Sequence, residues 1–242
     1  MVVMRKESNI SIRHLLFELT PDFIIDPIRP VAGYVLRRVH YSRRFYEQDY
    51  HAHEYGLKEQ TLEALMDRFV QTGHKARLIE ALEQMKDLPA PKTWLEVGCQ
   101  FGKTVFWVAD RYPATVFYMF DFAQTAIDFI NKHNPIPEQT VVWRGDASDI
   151  CYEGQRFDGF FDLVSMLDFT EHIPPKIYRK TITEAFRVLK PGGHLLLKQG
   201  NTIRPEHINI RWEWQLIRDF EKAGFLLKRK LPHRHYLMTK MK

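Results

Sequence analysis

The chain is predicted to be an α/β protein. The expected core is a seven-stranded, mostly parallel sheet with helices on both faces and an antiparallel C-terminal edge hairpin, preceded by an N-terminal helical cap. Three observations predict this. From residue 92 onward, apolar runs of strand length alternate with stretches of helical periodicity, and that alternation demands a parallel sheet covered on both sides. The run Trp94–Val97 stops in a turn containing Gly98 and Gly102 and then opens a helix. The last apolar run is doubled around Pro232, which suits two antiparallel strands at an edge.

The elements follow in order. Before residue 92, Leu62, Leu65, Met66, Phe69 and Val70, then Leu78, Ile79, Leu82 and Met85, recur at helical spacing, and Gly73 divides them into two helices. Pro89-Ala90-Pro91 marks a boundary, so residues 1–91 read as an N-terminal extension or lid and 92–242 as the main domain. Strands are expected at 93–99, 115–121, 140–143, 160–166, 195–198, 225–231 and 236–241. Helices are expected at 103–111, 123–133, 176–189 and 212–223. Leu189-Lys190-Pro191-Gly192-Gly193 reads as a turn, because proline and glycine stop the helix and reverse the chain.

Composition narrows the class. Of the 242 residues, 45% are hydrophobic, enough for a substantial core. No apolar run has bilayer-spanning length, and Arg5, Lys6, Glu7 and Arg13 interrupt any secretory segment. Cys99 and Cys151 cannot make a disulfide framework, and cytoplasm is the expected compartment. The sequence pI is about 9.1. Part of that charge lies in the segment from Arg29 to Tyr46, where arginines alternate with aromatics and no acid intervenes. Such a segment can serve RNA, an anionic membrane surface or a phosphorylated substrate, or be a solvated face.

The glycine turn carries the first functional signal. Gly98 and Gly102 allow a ligand close to the backbone, and Asp121, at the end of the next strand, can accept both hydroxyls of a ribose. The spacing excludes a dinucleotide fingerprint, which needs glycines where Gln100 and Lys103 stand.

Glu96-x-Gly98-x-Gln100-x-Gly102 resembles the first motif of the class I S-adenosylmethionine-dependent methyltransferases, E/D-x-G-x-G-x-G, with Gln100 replacing the middle glycine. Asp121, Gly145-Asp146-Ala147, Asp162–Ser165, Lys190–Gly193 and Gly224-Phe225 extend the resemblance, in order, over roughly residues 93–242. The resemblance implies S-adenosyl-L-methionine as methyl donor and S-adenosyl-L-homocysteine as product. It implies that Glu96, Gly98, Cys99, Gln100, Gly102, Asp121, Phe122, Asp146, Ala147 and Met166 line the donor. Asp146 reads equally as a turn or capping residue.

Asp168-Phe169-Thr170-Glu171-His172-Ile173-Pro174-Pro175 follows the fourth strand and resembles the E-H-I-P segment of small-molecule methyltransferases. His172 is the candidate base, with Glu171 beside it, since an imidazole can take a proton from a hydroxyl near neutral pH. Both can instead cap the following helix or bond within the loop. Asp168-x-x-Glu171-His172 also resembles the E-x-x-E-H metal-binding segment of small-RNA 2′-O-methyltransferases, which would enlist His207 and hold Mg²⁺ against a diol. No metal is the first expectation and this set is the alternative. In the extension, Tyr46, Tyr50, His51 and His53 are candidate substrate contacts on a lid, as is His207 beyond the fifth strand.

The expected function is methyl transfer to oxygen of a small-molecule acceptor. An RNA methyltransferase acting on a ribose 2′-oxygen or a base is the alternative, supported by the Arg29–Tyr46 segment. A catalytically inactive methyltransferase-like partner subunit is a further alternative, supported by Gln100.

Overall fold

In the computed structural model, which describes residues 60–200 and 207–241, two helices precede the sheet. These are α1 (Leu62–Gln71) and α2 (His74–Glu83). Thr61 caps α1, its Oγ1 accepting the Ala64 N–H at 3.2 Å. Gly73 separates them in a left-handed conformation, φ +72°, as its place between two periodic runs predicts.

The alternating part runs β1 (Thr93–Val97), α3 (Lys103–Val108), β2 (Val116–Asp121), α4 (Gln124–His133), β3 (Thr140–Arg144), β4 (Phe161–Leu167), α5 (Pro175–Val188), β5 (Leu189–Lys198), α6 (Glu213–Glu221), β6 (Phe225–Leu231) and β7 (His235–Lys240). The strands form one seven-stranded sheet in the order β3-β2-β1-β4-β5-β7-β6. β1 to β5 pair in parallel, and β7 is antiparallel to both β5 and β6. The last strand therefore lies inside the sheet and β6 forms the edge.

Side-chain alternation puts a core on each face. Leu95, Val97, Val164, Met166, Leu195 and Leu197 pack with Tyr178, Ile182 and Ala185 of α5 and Leu216 and Phe220 of α6. Trp94, Phe117, Met119, Leu163 and Leu196 face the other way and pack with Phe69 of α1, Leu78 and Leu82 of α2, and Val105 and Val108 of α3. The described part of the N-terminal extension is thus one layer of the sandwich. Residues 1–59, including the Arg29–Tyr46 segment and the lid candidates Tyr46, Tyr50, His51 and His53, lie outside the described residues.

Most element ends shift by one to three residues from expectation, and two of the differences have a clear cause. β1 stops at Val97, because Gly98 turns to φ +71°. β5 begins at Leu189 and absorbs the proline–glycine turn as a bulge, since Phe161 pairs with Leu189 while Leu163 pairs with His194. Among the described residues no helix is long and apolar enough to cross a membrane.

The order of strands decides where a ligand can sit. The chain runs outward from β1 through β2 to β3, then returns to place β4 on the other side of β1. The crevice beyond the carboxyl ends of β1 and β4 is the switch point at which open α/β sheets bind ligands.

Candidate active site

Gly98, Gln100 and Gly102 carry the turn after β1 with φ of +71°, +54° and +80°. Gln100 thus adopts the left-handed backbone that glycine takes without cost. It is held there by its own N–H, which donates to Asp121 Oδ2 at 3.1 Å, and its Oε1 accepts from Lys103 Nζ at 3.2 Å. Asp121 Oδ1 accepts the Ala123 N–H at 3.0 Å, so the main chain orients both carboxylate oxygens. Gly98 and Cys99 donate to the Phe120 carbonyl at 3.1 and 3.0 Å, tying the turn to β2. Burial pushes the Cys99 thiol up, away from thiolate chemistry.

Glu96 points away from α5 into the layer under α3 and is 3% exposed. It accepts the Ser165 hydroxyl, whose Oγ in turn accepts Trp94 Nε1–H at 2.6 Å. Burial drives its carboxyl up to about 7, and hydrogen bonds from Ser165 and Thr104 offset only part of that.

The remaining expected donor residues divide. Asp146 makes a tight turn, its Oδ1 accepting both the Ser148 N–H and the Ser148 hydroxyl at 2.8 Å. Ala147 is buried in the α5 and α6 side of the core, and so is the Met166 side chain, which is 0% exposed. Phe122 packs with Leu65, Phe101 and Ala126.

The loop after β4 lies directly against the glycine turn: a Cβ on Gly98 would overlap the Phe169 ring. Asp168 begins this loop at φ +51°. Its carboxylate pairs with Lys198 Nζ at the end of β5. Burial alone would raise the Asp168 carboxyl, but the adjacent Lys198 ammonium outweighs it and holds the group well below the usual carboxylate range.

Glu171 and His172 lie on a short 3₁₀ turn, Thr170–His172. Neither caps α5, whose N-cap is Pro174 with no side-chain bond. Glu171 is fully buried, and its Oε1 accepts the Gly200 N–H at 2.6 Å. Burial raises its carboxyl, and the nearby Asp168 charge raises it further. His207 is also buried, and its ring meets the half-buried His172 ring edge to face, centroids 4.8 Å apart. Ligand-capable atoms of Glu171, His172 and His207 lie within 4.8 Å of one another. Asp168, the fourth residue of the expected metal set, is not part of that group, since Lys198 takes its carboxylate.

Sequence reasoning missed Phe169, Lys198 and Gly200. Gly200, two residues beyond β5, and Lys198, at its last position, were legible only as strand-end residues, and their partners are remote in sequence.

A sequence profile described as a methyltransferase domain matches residues 66–237. The chain belongs to this methyltransferase family. The fold is that of the class I, Rossmann-like S-adenosylmethionine-dependent members. Among curated proteins, a tRNA N(3)-cytidine methyltransferase of Danio rerio is 35% identical over 108 residues, covering 43% of this chain and 30% of that protein. A fatty-acid O-methyltransferase of Mycolicibacterium smegmatis is 29% identical over 122 residues, covering 50% of this chain and 41% of that one. The chain therefore spans less than half the length of these two relatives. An O-methyltransferase family protein from Burkholderia thailandensis has the same fold, with a TM-score of 0.60, 16% identity, and coverage of 96% of this chain and 71% of that one.

Proposed function

We propose that the chain is an S-adenosyl-L-methionine-dependent methyltransferase that methylates a hydroxyl oxygen of a small molecule, releasing S-adenosyl-L-homocysteine. Residues 92–242 carry the chemistry and residues 1–91 form an N-terminal extension, of which α1 and α2 pack on the sheet. The residues at the glycine turn suit the donor. Asp121 presents a carboxylate already oriented by the Gln100 and Ala123 N–H groups, which is what a ribose diol requires. Glu96, Gly98, Gln100 and Gly102 shape the turn on which the methionine end rests, and Asp146 stands where the adenine edge is expected.

The observation that carries the oxygen reading is the grouping of Glu171, His172 and His207, the first two on the loop whose Phe169 packs on Gly98 of that turn. The bound donor supplies an activated methyl group on a sulfonium. The protein must align the acceptor and, for a hydroxyl, help remove its proton. A ring nitrogen with a free lone pair needs no such help, so an imidazole–carboxylate cluster favours a hydroxyl. Of the three residues, His172 is the half-buried one and is the group an acceptor reaches first. Transfer of labelled methyl from the donor to a panel of phenols and alcohols, with the product identified as an ether, tests this. Methylation of nitrogen alone across matched amines would refute it.

The similarity to the tRNA-modifying relative supports a second reading, an RNA acceptor held partly by the Arg29–Tyr46 segment. A ribose 2′-hydroxyl would make the same demand on His172. RNA binding with a steep salt dependence favours this reading, and salt-insensitive or absent binding removes it.

A further inference from the structure

Glu171 presents an unresolved polar atom. Its Oε1 is satisfied by Gly200, but Oε2 is buried with no hydrogen-bond partner among the described residues. Neither protonation state repairs this. A carboxylate leaves a desolvated negative oxygen, and a neutral acid leaves an O–H with no acceptor. Ring nitrogens of His172 and His207 lie within 4.8 Å of each other and of a Glu171 carboxylate oxygen. The scaffold around them is tightly bonded. Asn209 N–H donates to the Glu171 carbonyl at 2.9 Å, and Asn209 Nδ2 to the Thr170 carbonyl at 3.1 Å. Gln199 Nε2 bridges Thr170 Oγ1 and the Asn209 carbonyl. A side chain at position 200 would overlap Glu171 Oε1 and come within 3.2 Å of His207 Cε1, so a larger residue there would displace the Glu171 carboxylate.

We propose that Glu171 Oε2, His172 and His207 bind one divalent transition-metal ion. A cation accounts at once for the orphan oxygen, the zero exposure of Glu171 and the facing imidazoles. Two nitrogens and one oxygen suit zinc, manganese or iron, whereas magnesium prefers oxygen ligands alone. Metal–ligand bonds of about 2.1 Å place tetrahedral ligand atoms about 3.4 Å apart, so ligand atoms that lie within 4.8 Å of one another draw closer on loading. The Gly200 N–H fixes the carboxylate from behind, as outer-sphere partners of metal ligands do. Asp168 is withheld because Lys198 neutralises it. Three protein ligands leave a coordination position open for water or an acceptor oxygen. That last consequence rests on the methyl-transfer reading, while the metal site itself does not: a loaded ion, rather than His172 acting as base, would lower the acceptor's pKa.

The test uses the whole chain freed of any affinity tag, stripped with chelator and reloaded in turn with Zn²⁺, Co²⁺, Mn²⁺ and Mg²⁺. The expected result is one equivalent of Zn²⁺ or Co²⁺ per chain, with cobalt absorption bands of low-symmetry nitrogen–oxygen coordination and no competition from Mg²⁺. His172→Ala and His207→Ala each weaken cobalt binding by about 100-fold or more and leave S-adenosylhomocysteine binding and circular dichroism unchanged. His172 is half-buried, so that variant remains informative if the buried positions compromise folding. Substoichiometric metal after loading overturns the site, as does equal binding by the His172→Ala and His207→Ala variants. Metal bound in full by a protein that fails to bind S-adenosylhomocysteine would uphold the site and refute only the methyltransferase reading.

Discussion

At the carboxyl edge of the sheet, the turn after β1 and the loops after β4 and β5 treat their polar groups in opposite ways. In the first, the protein's own groups meet nearly every demand: Asp121 takes N–H groups from Gln100 and Ala123, Gly98 and Cys99 bond to the Phe120 carbonyl, and Glu96 accepts the Ser165 hydroxyl. In the second, Glu171 Oε2 and Asn209 Oδ1 are buried without hydrogen-bond partners among the described residues, although the surrounding backbone is well bonded. A region that satisfies itself is preorganised for one invariant ligand, which is what a shared methyl donor requires. A region that leaves buried groups unmet is completed by something else, an acceptor or an ion. Phe169, packed on Gly98, joins the two.

Substitutions can break that contrast. The largest expected effect is at the unsatisfied side. His172→Ala should lower kcat by about 10²-fold or more with S-adenosylhomocysteine affinity unchanged. A matching loss of affinity would mean that the two regions are not separable. Next, Asp121→Ala removes the acceptor of two backbone N–H groups and, on the proposed reading, of the donor's ribose hydroxyls. Donor-product affinity should fall by about 10²-fold, read by calorimetry, and a change below threefold would remove the ribose role.

A smaller effect concerns stability. The folded-state Glu96 carboxyl lies at about 7, above its ordinary 4.5, so the folded protein holds this proton more tightly than the unfolded chain. Its stabilising contribution is complete below about pH 4.5 and is lost as pH rises through about 7. Glu171 is shifted in the same direction. Glu96→Gln should therefore lessen the fall in stability between these pH values by on the order of 2 kcal/mol, seen as a flatter denaturation midpoint against pH. An unchanged pH profile would show that Ser165 holds Glu96 charged. The smallest effect is at Gln100. Gln100→Gly relieves a left-handed backbone and should stabilise the turn by about 1 kcal/mol, raising Tm by a few degrees and donor affinity slightly. If the substitution instead abolishes activity, the Gln100–Lys103 contact has a role of its own. Gln100 adopts the glycine-like conformation without glycine, so its presence gives no support to an inactive subunit.

Much of the satisfied region was legible in the sequence, because it is built from short-range relationships. Strand alternation, the Gly98–Gly102 turn and Asp121 at the end of β2 are patterns of composition along the chain, whereas the strand order β3-β2-β1-β4-β5-β7-β6 is not written in them, since right-handed crossovers allow more than one order. The β5 bulge was not legible, because a proline–glycine turn and a bulged strand start share the same residues. The other region was legible in its residue types but not in its grouping. Glu171, His172 and His207 were already candidates, while the removal of Asp168 depended on Lys198, thirty residues away at the end of a different strand. Phe169 over Gly98 and Gly200 behind Glu171 are contacts of loop on loop, which periodicity does not encode.

The central claim is that the glycine turn and Asp121 hold S-adenosylmethionine. Titration calorimetry of the whole chain with S-adenosylhomocysteine tests it most directly. One saturable site per chain is expected, lost in the Asp121→Ala variant and retained in His172→Ala. No heat of binding from folded wild-type protein, or binding that Asp121→Ala leaves intact, would contradict it.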